Sequence, residues 1–72
     1  MERYNFIIIG PNIDECMEQL SEDNDKALEL ALSLVAVYPL NTKILVYHVT
    51  NVDGVKYKQY IGATEHVVRK TL

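Results

Sequence analysis

The groups in this chain with intrinsic reactivity are two histidines, one cysteine and a turn that follows a β-branched run. His48 and His66 stand 18 residues apart. Neither falls in a metal-ligand spacing, and a lone Cys16 cannot complete a structural zinc site. His48 is expected on the core side of a strand opposite Gln59, where a hydrogen-bonded structural role outweighs that of a catalytic base. His66 reads as a solvent-facing tail residue. Asp14, Glu15 and Glu18 surround Cys16 in sequence and disfavour a thiolate, so the cysteine reads as buried and inert. Gly10-Pro11-Asn12 after YNFIII has the outline of a phosphate-binding turn. It lacks further glycines and a following Lys-Ser/Thr, and the next residues are acidic. No catalytic, cofactor-binding or metal-ligating residue is assigned, and the chain reads as a binding protein rather than an enzyme.

Two groups of residues suit binding. Alternation places Leu45, Tyr47, Val49, Lys56, Lys58 and Tyr60 on one sheet face, a mixture that can form an interface core with a charged rim. Tyrosines flanked by lysines also stack bases and contact phosphates, which makes a single-stranded nucleic-acid binder an alternative. Against it stand a net charge of −3 and only two arginines. The second group is acidic. Residues 12 to 29 carry seven acids (Asp14, Glu15, Glu18, Glu22, Asp23, Asp25 and Glu29) against Lys26, or −6, while residues 43 to 72 carry five basic residues against two acids, or +3. Asp14 to Asp25 is a candidate docking segment for a basic surface, or a mimic of nucleic-acid phosphates. For Asp23 and Asp25 the helix macrodipole supplies an alternative reason.

These residues need elements to hold them. Residues 4–9 read as a strand with two largely apolar faces, closed by the Gly-Pro-Asn turn. Residues 13–20 fit a short helix, with Ile13, Cys16, Met17 and Leu20 on one side, or an ordered loop. The main helix spans about 24–38, starting at Asp23 or Asn24 and ended by Pro39. Strands over 43–52 and 55–61 are joined by Asp53-Gly54, a preferred two-residue hairpin loop. In that register His48 faces Gln59 and Val46 faces Ile61, and Ile44, Val46, Val55, Tyr57 and Ile61 meet the helix. Residues 63–72 suit one or two helical turns, with Val67, Val68 and Leu72 able to dock. The expected fold is α+β, one helix on a three-stranded mixed sheet in βαββ order, with all 72 residues in one domain.

The helix is too apolar for that fold. Leu30 and Val37 widen its stripe on one side and Leu32 on the other, to roughly 220°, against the ~100° a surface helix needs. Its edges call for a cover, from Cys16-Met17-Leu20, from the Val67-Val68 tail, or from a partner. A homodimer is one source of that partner, because so short a chain has a marginal core. The single cysteine, the absence of a cleavage-like motif after MERYNFIII, and the lack of a long apolar stretch point to the cytoplasm and away from the membrane.

The segment DKALELALSLVAVYPLNTKILVYHV, with a strand before it and a hairpin after it, resembles short phage-encoded accessory proteins over residues 23 to 61. Some of these, including inhibitors of bacterial RNA polymerase, pack one helix on a small sheet and disable a host enzyme. The resemblance implies a modulator that occludes the surface of a larger host protein. The single strand expected before the helix and the acidic stretch 12 to 22 depart from the pattern, and no functional residue is carried over.

Overall fold

The computed structural model describes residues 1–68. Its elements are β1 (Glu2–Gly10), β2 (Ile13–Ser21), α1 (Asn24–Val35), β3 (Lys43–Val52) and β4 (Val55–Glu65). The strands form one antiparallel sheet in the order β2-β1-β3-β4. This overturns the expected three-stranded mixed sheet, and the difference originates in residues 13–20. They form neither a short helix nor a loop, but a strand at the sheet edge.

Pro11-Asn12 makes the reversal. Gly10 pairs with Ile13, leaving a two-residue loop in which proline fixes a negative φ and Asn12 takes φ 61°. That is the pattern of a type II turn. Ile13 and Met17 then pack against the core, while Glu15 and Gln19, on the same side, keep the strand polar. An edge strand only partly covered by the helix does not need full apolar alternation, so its period-2 signal is weak. The Ile13, Cys16, Met17, Leu20 spacing imitates a helix instead.

The extra strand changes the crossover. β2 and β3 both run antiparallel to β1 and flank it. The helix therefore links two parallel strands, as a β-α-β unit should, but with β1 inserted between them.

The helix starts where its cap dictates. An Asp23 carboxylate oxygen accepts the Lys26 N–H at 2.9 Å, satisfying one of the free donors of the first turn. It stops at Val35, short of the expected Tyr38. Pro39 pushes Tyr38 out of the α region, and the N–H groups of Val37 and Tyr38 bond the carbonyls of Leu34 and Val35, both at 3.1 Å, in a tightened last turn. Ala27, Ala31 and Val35, one turn apart, are its buried residues. Their small size lets the helix lie close over Tyr4, Phe6, Ile8, Ile44 and Val46.

The β3–β4 hairpin extends beyond that core. β1 last pairs with β3 at Arg3 and Val49, so residues 50–57 form a two-stranded arm along a molecule 51 Å long. Asp53 and Gly54 have φ values of 51° and 81°, as the hairpin loop requires. The 12-residue helix covers about 18 Å and begins at Tyr4, whose hydroxyl donates to Asn24 Oδ1 at 2.8 Å. It runs away from the arm. Val55 and Tyr57, expected beneath the helix, are consequently 52% and 55% exposed. A β-bulge also pairs Val46 with Gly62 rather than Ile61, placing two residues opposite one.

After the bulge β4 continues to Glu65 rather than turning helical. His66 is half-buried, not a free tail residue: its N–H donates to Thr42 O and its carbonyl accepts from Asn41 N, each at 2.9 Å, and its Nδ1 lies 2.6 Å from Tyr38 O. Val67 and Val68 are exposed and do not cap the helix edges, so Leu32 stays 58% and Val37 78% exposed. Leu72 lies outside the described residues.

Candidate interaction face

Among the described residues a single helix packs on one side of the sheet, and no element covers the other. Four rows of side chains cross it, each from β2 through β1 and β3 to β4: Leu20, Arg3, Val49, Lys58; Glu18, Asn5, Tyr47, Tyr60; Cys16, Ile7, Leu45, Ala63; and Asp14, Ile9, Lys43, Glu65. Lys56, opposite Asn51, extends the face onto the arm. All six residues grouped from sequence alternation (Leu45, Tyr47, Val49, Lys56, Lys58, Tyr60) are therefore brought together. Ile7, Ile9, Cys16 and Arg3 join them, and they were not foreseen there because β1 and β2 had no assigned neighbours.

The middle of the face is apolar and partly self-covering. Tyr47 and Tyr60 meet edge to face, with centroids 5.5 Å apart and planes at 62°, a preferred aromatic arrangement. Val49 is only 8% exposed although it lies on the helix-free side. The margins are charged. Arg3 Nε lies 3.0 Å from Glu18 Oε1 in a half-exposed pair, worth little to stability on its own.

The acidic segment does not form one surface. Strand alternation sends Asp14 and Glu18 to the open face and Glu15 to the helix side, where it accepts from the Tyr38 hydroxyl at 3.4 Å. Glu22, Asp23 and Asp25 cluster at the helix start, around an open hollow of ≈ 400 Å³ that also touches Glu2 and His48. His48 Nε2 lies 2.9 Å from Glu2 Oε1, and its ring stacks at a tilt on Tyr4, 5.1 Å between centroids. Burial, then the charges of Glu2 and Asp23, hold the Tyr4 hydroxyl above its ordinary pKa, which keeps it a donor to Asn24. Burial, followed by Glu15, does the same for Tyr38.

Cys16 is exposed on the open face, not buried as its neighbours suggested, because β2 is a strand and turns position 16 away from the helix. Among the described residues no group of three or more His, Cys, Asp or Glu could hold a metal ion, and no helix is long and apolar enough to cross a membrane. No protein family, curated protein or solved structure matches this chain.

Proposed function

We propose that this protein is a non-enzymatic, protein-binding modulator that works by occluding the surface of a larger protein, with the helix-free sheet face as its contact. The observation that carries this reading is the helix-free apolar field of half-buried Ile7, Leu45 and Tyr47 and exposed Tyr60 around the buried Val49, ringed by Arg3, Lys43, Lys56 and Lys58 on one hand and Asp14, Glu18 and Glu65 on the other. Aromatic anchors near the centre of a patch with a charged rim are the usual carriers of binding energy. A host enzyme as the target rests on the resemblance to phage accessory proteins. The mixed signs on the face weigh against a nucleic-acid backbone, since three carboxylates share it with the four basic groups.

A photo-crosslinking residue at position 47, compared with one at position 32 on the outer side of the helix, tests this in the native host. Adducts at 47 and not at 32 are expected. Adducts confined to 32 would move the contact to the helix and overturn the reading.

A further inference from the structure

We propose that a second copy of the chain joins this one edge to edge, each β2 pairing with the partner's β4, so that the two sheets close into one eight-stranded barrel. The inference rests on the reading of the open face as a contact surface and names its occupant in the free protein.

The free edges dictate how such strands can meet. Residues flanking a two-residue hairpin loop exchange their backbone bonds, and hydrogen-bonded pairs alternate from there. Gly10 with Ile13 and Val52 with Val55 are those flanking pairs. Asp14, Cys16 and Glu18 on β2, and Lys56, Lys58 and Tyr60 on β4, therefore aim their N–H and C=O groups at the open edge. The same six side chains lie on the helix-free face. Antiparallel pairing of β2 with the partner's β4 thus continues the sheet without turning it over.

The charges choose the register. With Lys56 opposite the partner's Glu18, Lys58 lies opposite the partner's Cys16, diagonally between the partner's Glu18 and the partner's Asp14. On the helix side Tyr57 meets the partner's Met17, and Ile61 meets the partner's Ile13. No like charges meet in this ladder. Pairing β2 with β2, or β4 with β4, would instead set acid beside acid or lysine beside lysine, a common protection of edge strands.

The same register closes the ring. Glu18, Asn5, Tyr47 and Tyr60 form one row, which continues into the partner's Asp14, four residues short of Glu18. Two copies double that stagger to eight residues and the four strands to eight. At ~3.3 Å per residue and ~4.8 Å per strand the strands tilt by about 35°, within the range in which barrels close. Placing Lys58 opposite the partner's Glu18 would cut the tilt to about 19°. A slip the other way would set Tyr60 against the partner's Asn12, a turn residue. In the closed form the helices stay outside and the open face turns inward. Ile7, Leu45, Tyr47 and Tyr60 then fall near mid-height, where eight strands leave room only for side chains. Arg3 and Lys56 lie toward one mouth, and Lys43 and Glu65 toward the other.

Cys16 reads the register directly. Hydrogen-bonded antiparallel partners have Cα atoms ~5.5 Å apart, a distance a disulfide spans. In oxidised glutathione, Lys58→Cys should form a disulfide dimer through Cys16 at least ~10-fold faster than Lys56→Cys or Tyr60→Cys, whose thiols sit one place along the face on either side. Two bonds per pair should stop growth at the dimer on a non-reducing gel, and Cys16→Ser should abolish it. Wild type should sediment as a reversible dimer that Lys56→Glu weakens at least ~10-fold. A ladder of higher oligomers, equal rates at the three positions, or a wild type monomeric at millimolar concentration overturns the proposal. A monomer that still crosslinks a larger protein through position 47 removes the second copy and leaves the protein-binding reading intact. A register-specific dimer with no larger protein crosslinked at 47 supports the barrel and removes that reading.

Discussion

Gly10 ends β1 directly against Thr42, and its missing side chain sets a measurable limit on packing there. A Cβ at position 10 would lie 2.5 Å from Thr42 Oγ1 and 3.1 Å from both Thr42 Cα and Cβ. The hydroxyl could rotate away, but Thr42 Cα belongs to a backbone bonded to Pro39 through its N–H (3.2 Å) and to His66 through its carbonyl. Gly10→Ala therefore forces two chain segments apart, an overpacking cost of about 1–3 kcal/mol. The reduced freedom of the unfolded chain returns about 0.4–1 kcal/mol, leaving a net loss of roughly 1–2 kcal/mol. At ~0.05–0.15 kcal/mol per residue this chain has only about 4–11 kcal/mol in total, so the melting temperature should fall by about 5–15 °C. Thr42→Val acts in the opposite sense at the same place. The Thr42 side chain is fully buried and its hydroxyl has no hydrogen-bond partner among the described residues, so an apolar isostere should stabilise by about 1 kcal/mol. Thermal and urea unfolding followed by circular dichroism read both changes. A Gly10→Ala protein melting within about 1 °C of wild type would refute the packing argument, because any net cost above a few tenths of a kcal/mol gives a larger shift in a domain of this size.

Other predictions follow from individual contacts. Asp23→Ala removes the helix cap and should cost about 1 kcal/mol in urea unfolding; an unchanged midpoint would mean another group caps Lys26. Tyr4→Phe removes the donor to Asn24 and should cost about 1 kcal/mol, more if Asn24 Oδ1 is left dry. The raised pKa values of Tyr4 and Tyr38 fix the sign of the alkaline response. A raised folded-state value means stability is fully present below the ordinary tyrosine value of 10.0 and declines as pH rises through the folded values. Unfolding midpoints should be level approaching that value and drop above it, less steeply in Tyr4→Phe; a rise on the alkaline side would contradict the burial of both phenols.

Where the sequence was legible, a single residue type imposed the geometry. Asp53-Gly54 reported a turn with two positive φ values and so fixed the hairpin register as far as His48 and Gln59. Asp23 marked the helix start, and strand 43–52 was read with its true bounds. The register failed at Ile61, because a bulge has no side-chain signature and Gly62 was the one hint of a close approach. β2 was missed for an energetic reason: at the edge of a sheet with one helix, its helix-side positions tolerate Glu15 and Gln19, so hydrophobic periodicity loses its force. That omission hid the topology, and with it half of the open face. Local alternation sufficed to group Tyr47, Tyr60 and the two lysines, but placing Ile7, Ile9 and Cys16 beside them required knowing that β1 lies between β2 and β3.

The most direct measurement is the affinity of the Tyr47→Ala, Tyr60→Ala double variant for whichever protein crosslinks at position 47, a second copy of the chain included. Losing the aromatic pair should cost the fold only about 0.5–1.5 kcal/mol beyond the area it buries, so circular dichroism should still report a folded protein. If the open face binds through these rings, affinity should drop at least ~30-fold, the equivalent of about 2 kcal/mol for a central anchor. A folded double variant that binds within about 3-fold of wild type, well under 1.4 kcal/mol, would contradict the account and move the contact off the sheet.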